Sequence, residues 1–311
     1  MIFTITLNPC LDRYLYVDKL KTDDTTRVKK IKDYPAGKGI DVSRAIKELE
    51  GKSVAISFLG GENGRKIEEM LDKEGVIYTA VRITKETRMN IILQERNSQY
   101  RLSVQGPKIP KTDLNQLYET LKLLIRENDT VVISGSLPPG VTPNFYAEII
   151  SYLKRKNAKV YFDADGENLK VGIESHPDCI KPNLYEFQRV LDKKINEIDQ
   201  DELAKYGLEL IDKYGIKEIL LTLGSNGAMF ISKESCLYAP SIDVPVQSAV
   251  GSGDSFLAAY VLKREEGANV EEAFKWANAS GNASVITPGT ELCRKNDVLR
   301  LLDEVKIEKI F

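Results

Sequence analysis

The sequence predicts an α/β fold: a mostly parallel central sheet covered by helices on both faces, with a small β-sheet lid laid over it. Three observations carry this reading. Short β-rich runs alternate with amphipathic helical patterns along most of the chain, as parallel strands joined by crossover helices require. Two stretches break the alternation and read as strands with no helix between them. Glycine-bearing turns fall where strands lead into helices, the place where open α/β sheets bind ligands. The chain has 311 residues, enough for a large core, and 1–311 is read as one domain with the lid strands inserted in it.

The elements follow in order. Strands are expected at Ile2–Leu7, Val54–Leu59, Val131–Ser134, Val160–Asp163, Cys179–Lys181, Ile219–Leu223 and Ala228–Ile231. Val42, Ala45, Ile46 and Leu49 follow the i, i+3, i+4, i+7 spacing of a helix face, with Gly51 just past the end. Ile67, Met70 and Leu71 repeat the pattern, with Gly75 as the stop. Further helices fit residues 112–127, 141–157, 200–214, 254–265, 270–286 and 295–304. The lid comes from about 11–34, which holds the runs Tyr14–Val17 and Val28–Ile31, and from about 88–104. There Arg88–Leu93 and Tyr100–Val104 flank the polar turn Arg96–Gln99, which reads as a hairpin. Such a sheet offers edges and aromatic surface that a second copy can cover.

Composition excludes several classes. The formal net charge is −2, and lysines sit beside acids, as in Lys47-Glu48 and Lys263-Arg264-Glu265-Glu266, so no basic nucleic-acid face is expected. The apolar runs are too short to span a bilayer. The opening run Ile2–Leu7 has no charged leader, which makes a cytoplasmic location the expectation. The four cysteines, Cys10, Cys179, Cys236 and Cys293, form no Cys-x-x-Cys pair and read as free thiols. The single histidine, His176, precedes Pro177 and gives no basis for a serine hydrolase.

The stretch Ser248–Phe256 carries the chemistry. Gly251, Ser252 and Gly253 stand at a helix start, where unpaired N–H groups and the helix dipole favour an anion. Asp254 follows at once. A carboxylate in an anion cradle is either a helix cap or a base that takes a proton from an attacking hydroxyl. The local residues leave both open.

Eight segments in order resemble the ribokinase-like carbohydrate kinases of phosphofructokinase B type. They are Thr6-Leu7-Asn8-Pro9, Leu11-Asp12-Arg13, Ala36-Gly37-Lys38-Gly39-Ile40, Thr87-Arg88-Met89-Asn90, Ser134-Gly135-Ser136-Leu137-Pro138, Lys181-Pro182-Asn183-Leu184-Tyr185-Glu186, Thr222–Ala228 and Val250–Ser255. The resemblance is to the phosphosugar branch: minor 6-phosphofructokinases, 1-phosphofructokinases and tagatose-6-phosphate kinases. It implies a three-layer α/β/α domain and transfer of the γ-phosphoryl of ATP to a phosphohexose hydroxyl. By it, Asp254 is the base and Gly251, Ser252 and Gly253 are the anion hole. Lys181, Asn183, Thr222, Gly224, Gly227 and Asn282 contact the nucleotide. Asn183 and Glu186 hold Mg2+ through water, a pair that also has capping-box spacing.

On the acceptor side the resemblance implies Asp12, Gly37, Lys38, Gly39, Asn90 and Ser136, with Arg88 clamping the phosphate already present. Arg27 adds a second charge, offered to the neighbouring subunit of a homodimer formed through the lid. Asp41 departs from the family's usual asparagine, and a carboxylate accepts hydrogen bonds but cannot donate them. Gln99-Tyr100-Arg101 and Pro288–Cys293 are closest to the minor 6-phosphofructokinases, so fructose 6-phosphate is the expected acceptor. Fructose 1-phosphate and tagatose 6-phosphate are the alternatives, and an unphosphorylated sugar or nucleoside the more distant one. A non-catalytic sensor would lack Asp254 or its cradle. A dinucleotide oxidoreductase would need Gly-x-Gly-x-x-Gly after the first strand, where this chain has Asn8-Pro9-Cys10.

Overall fold

The computed structural model describes residues 1–96 and 98–311; Asn97, in the expected turn Arg96–Gln99, lies outside the described residues. Strand β1 (Ile2–Thr6) is buried along its whole length. The chain then forms β2 (Cys10–Tyr16) and β3 (Lys30–Ala36), helix α1 (Lys38–Glu48), β4 (Ser53–Leu59) and α2 (Gly61–Glu74). Helix α2 stops at Gly75, whose left-handed backbone closes it as the sequence suggests. Next come β5 (Ile77–Arg82), β6 (Arg88–Gln94), β7 (Gln99–Leu102), α3 (Lys111–Leu124), β8 (Thr130–Ser134), α4 (Asn144–Arg155) and β9 (Lys159–Asp163). They are followed by α5 (Gly166–Ile173), β10 (Cys179–Ile180), α6 (Leu184–Leu191), α7 (Gln200–Tyr214), β11 (Glu218–Thr222), β12 (Ala228–Ser232) and β13 (Cys236–Ala239). The chain ends with α8 (Ser252–Glu265), α9 (Val270–Val285), α10 (Lys295–Leu302) and β14 (Glu308–Lys309).

The large sheet has ten strands in the order β14-β13-β12-β11-β10-β9-β8-β1-β4-β5. From β5 to β11 every pairing is parallel, and β11 to β14 pair antiparallel. Alternation along the strands feeds two cores. Val131, Ile133, Ile219 and Leu221 pack with residues of α3 to α7, while Val132 and Leu220 pack with α1, α8, α9 and α10. Both faces are thus covered, which is why these strands read as continuous apolar runs.

The lid is a four-stranded sheet ordered β3-β2-β6-β7. Its central pair, β2 and β6, is parallel; the outer pairings are antiparallel. The register places Cys10, Asp12 and Tyr14 on one face with Arg88, Asn90 and Arg101. The opposite face carries Leu15, Ile31, Leu93 and Tyr100. Lys66 of α2 pairs with Asp33 of β3, tying lid to body.

Two expectations change, and one connection takes a regular form. Helix α8 starts at Ser252, so Asp254 lies inside its first turn. Helix α4 starts at Asn144 instead of 141, because Pro143 disfavours helical backbone at Thr142 before it. Residues 224–226 form one turn of 3-10 helix within the β11–β12 hairpin.

Candidate active site

Strand ends, two helix N-termini and the inner face of the lid enclose a cavity of about 940 Å³. Gly251 precedes α8 with φ +79°, and a Cβ there would lie 2.6 Å from Leu292 Cδ2. Only glycine fits that turn. The first helical bond runs from Ser255 N–H to Gly251 O at 2.8 Å. The N–H groups of Ser252, Gly253 and Asp254 therefore have no backbone partner among the described residues, and all three residues line the cavity. Helix α8 is buried from Asp254 to Leu262, which fixes this terminus in place.

The Asp254 side chain is 9% exposed. Burial pushes its carboxyl up to about 6; Lys38 opposes the rise, Asp163 adds to it and Lys181 opposes it. The Lys38 ammonium donates to Asp163 Oδ1 at 2.8 Å, and Lys181 lies 3.1 Å from Asp163 Oδ2. Asp163 is 0% exposed. Burial favours its neutral form, but Lys181 and Lys38 outweigh this and its carboxyl stays below the ordinary range. A Cβ on Gly253 would sit 3.2 Å from Lys181 Nζ, so that ammonium stands beside the unpaired N–H groups at the start of α8. In the sequence Asp163 reads only as the last residue of the strand Val160–Asp163. Its one signal is an acid at the carboxyl end of a parallel strand; its meaning appears only when α1 and β10 bring the two lysines to it.

At the other end of the cavity Asn90 Nδ2 donates to Asp12 Oδ1 at 2.8 Å. Asn90 Oδ1 in turn accepts the Val104 N–H at 3.1 Å, so Asn90 orients Asp12 from behind. Arg88 lines the cavity, but Nη1 donates to Val104 O at 2.8 Å, Nη2 to Asn8 O at 2.9 Å and Nε to Pro9 O at 3.4 Å. Asn8 Nδ2 reaches Ser136 Oγ at 3.2 Å, bringing Ser136 to the same corner.

Gly37 and Lys38 open α1 toward the cavity. Gly39 lies behind the wall: a Cβ there would meet Thr6 Oγ1 at 2.5 Å. Asp41 is 5% exposed. It accepts from Gly37 N–H at 3.2 Å and Arg44 Nη1 at 3.1 Å. Glu74 holds Arg44 through Nε at 2.6 Å and Nη2 at 3.0 Å. Burial drives the Asp41 carboxyl well above the carboxylate range, against the pull of Arg44. Arg27 is exposed in the β2–β3 connection and does not line the cavity.

Further along the cavity, Asn183 and Glu186 form the capping box that their spacing allows. Glu186 N–H donates to Asn183 Oδ1 at 2.9 Å and Asn183 N–H to Glu186 Oε2 at 2.7 Å. Burial raises the Glu186 carboxyl, and Glu186 still faces the cavity. Lys181, Thr222, Gly224 and Gly227 also line it. Asn282 spends its Oδ1 on Ser241 Oγ–H and the Ile242 N–H, so it shapes a wall that includes Val244, Val246 and Val285. Among the described residues no group of three or more His, Cys, Asp or Glu is placed to hold a metal ion. The four cysteines are free and buried, and no helix among the described residues is long and apolar enough to cross a membrane.

The chain is similar to 1-phosphofructokinase of Borreliella burgdorferi, with 30% identity over 100% of this chain and 99% of that protein. It is equally similar to the ATP-dependent 6-phosphofructokinase isozyme 2 of Escherichia coli, with 30% identity over 96% and 97%. The crystal structure of phosphofructokinase-2 from Escherichia coli in complex with substrates and products matches with a TM-score of 0.92 and 30% identity, over 97% of this chain and 98% of that one. A ribokinase from Thermotoga maritima shares the fold at 20% identity, with a TM-score of 0.76 over 97% and 99%. The model of the pfkB family carbohydrate kinases matches residues 5–297. The chain belongs to the pfkB family of carbohydrate kinases, phosphotransferases with an alcohol group as acceptor.

Proposed function

We propose that this kinase transfers the γ-phosphoryl of ATP to the 1-hydroxyl of fructose 6-phosphate. One observation carries the reading: a single cavity joins Asp254 and the unpaired N–H groups beside it to the Asp12 carboxylate. With its carboxyl raised to about 6, Asp254 is mostly ionised at neutral pH and close to the operating pH, the best position for a base. It takes the acceptor proton as the new oxygen–phosphorus bond forms. The N–H groups of residues 252–254 and the Lys38 and Lys181 ammoniums face the negative charge of the phosphoryl in transfer. Asp163 holds both lysines in place through its two ion pairs.

Asp12, Gly37, Lys38 and Asp41 surround the sugar, while Arg88 and Ser136 lie toward its phosphate. Asn90 and Gly39 act one layer back. Lys181, Thr222, Gly224, Gly227 and the wall buttressed by Asn282 receive the nucleotide. Magnesium supplies charge neutralisation at the ATP phosphates. A hydrated ion suits Glu186, whose Oε2 is taken by the capping box while the residue faces the cavity. The Asn183 oxygen is already spent on the cap.

The outer lid face supports a homodimer. Ile31, Tyr100 and Leu102 are exposed there, beside half-buried Leu15 and Leu93, and an apolar sheet face of this kind is normally covered. Arg27 would then reach the neighbouring subunit. The deciding assay offers fructose 6-phosphate, fructose 1-phosphate, tagatose 6-phosphate, free fructose and a nucleoside, with ATP and magnesium. Fructose 6-phosphate should give the highest kcat/KM. Good turnover of free fructose or the nucleoside, with none of any phosphohexose, defeats the reading.

A further inference from the structure

Two arginines of the lid line the cavity, and they are not equivalent. Arg88 is built into the backbone through the three donations described above. Arg101 sits on β7, the edge strand of the lid. Register pairs it with Ile92, and Ile92 with Tyr14, so all three share the face of Asp12 and Asn90. Burial pushes the Tyr14 phenol up to about 12, and the Arg101 charge pulls against that rise, as a guanidinium on the cavity side must. Arg101 is exposed. Its Nε donates to Gln99 Oε1 at 2.9 Å; among the described residues neither Nη has a partner and no carboxylate forms an ion pair with it.

Arg88 and the row of Arg101 flank Asn90, two residues to either side along the lid, roughly 13 Å apart in all. Asp12, in the row of Asn90, stands between the two rows. Asp12 on the lid and Asp254 on the body line the same cavity, and their carboxylates repel a phosphate from the reacting end. An arginine with two open Nη groups presents the paired donors that a phosphate takes.

We infer that Arg101 grips the phosphate already on the acceptor and sets the preference for phosphorylated over free sugar. This rests on the phosphohexose reading above. The test compares wild type, R101A and R101K on fructose 6-phosphate and on free fructose, with ATP and magnesium. In R101A the kcat/KM ratio of fructose 6-phosphate to fructose should fall about ten- to hundredfold, as expected for a lost charge-assisted contact. The change should lie in the KM for fructose 6-phosphate, with the KM for ATP held, and R101K should recover part of it. A wild type that prefers fructose 6-phosphate beside an R101A variant with the same ratio overturns the role of Arg101 and leaves the phosphohexose reading standing. An equal fall on both acceptors marks a structural role and also overturns it. A wild type with no preference for fructose 6-phosphate overturns both.

Discussion

The two sheets of this molecule are built by different rules. In the large sheet, β1 and β8 are buried at every residue, and helices close both faces. In the lid, β7 is exposed at every residue and β6 is mostly half-buried. The groups proposed for the chemistry sit on the first kind of ground: Asp163 and Lys181 follow from buried strands, and Asp254 from a helix buried nearly all round. The groups proposed to choose the acceptor sit on the second. Precise placement of a base and an anion cradle calls for a support that cannot yield. Recognition of a charged, hydrated phosphate calls for side chains that reach solvent. The contrast teaches that changes in the body should affect kcat or stability, whereas changes in the lid should affect acceptor KM or assembly.

The largest effect is expected from Asp254→Asn, which should cut kcat by at least ~100-fold with nucleotide affinity held, measured by steady-state kinetics and ATP titration. A loss confined to KM would break the contrast. The same variant should be more stable at pH 8, by about 3 kcal/mol, in denaturant unfolding. The sign follows from the raised carboxyl: the native state holds that proton more tightly than the unfolded chain, so stability falls as pH climbs from the ordinary aspartate range through about 6. The gain from Asn should accordingly vanish below that range.

Asp163→Ala should come next. It leaves Lys181 buried without its partner, at a cost of about 3 kcal/mol in unfolding free energy; an unchanged midpoint would show that the two lysines find other partners. In the lid, replacing Tyr100 and Leu102 by Asp should weaken self-association at least ~10-fold, because two charges enter an apolar contact. Sedimentation at several concentrations reads this, and an unshifted profile would place any dimer contact elsewhere. Asp41→Asn should give the smallest change. Burial already favours the neutral form of this carboxyl, so the acceptor KM should move by less than about threefold. A rise of tenfold or more would instead make the carboxylate a required hydroxyl acceptor.

The large sheet was legible because its strands are apolar runs and its helices keep one apolar face, as with Ile46 and Leu49 or Tyr260 and Val261. The lid was legible for the opposite reason: its two segments lack any helical period. Elements with little pattern of their own escaped. Strand β14 has two residues, and β5, α5 and α6 are short or hold their apolar residues without a clear period. At the site, Asp254 and its glycines were readable because helix start, cradle and acid are adjacent in the chain. Asp163 was not, since its partners Lys38 and Lys181 come from α1 and the end of β10. Nor was the bracing of Arg88, whose carbonyl partners stand 16, 79 and 80 residues away. The capping box of Asn183 and Glu186 was readable from spacing alone.

The pH dependence of kcat, at saturating ATP and acceptor, bears most directly on Asp254 as the base. Wild type should lose activity along an acid limb centred near pH 6, where its buried carboxyl takes up a proton. The residual activity of Asp254→Asn should lack that limb. The same limb in both proteins, or a wild-type rate that stays flat down to pH 4.5 or so, well below the value burial imposes on this carboxyl, would contradict it.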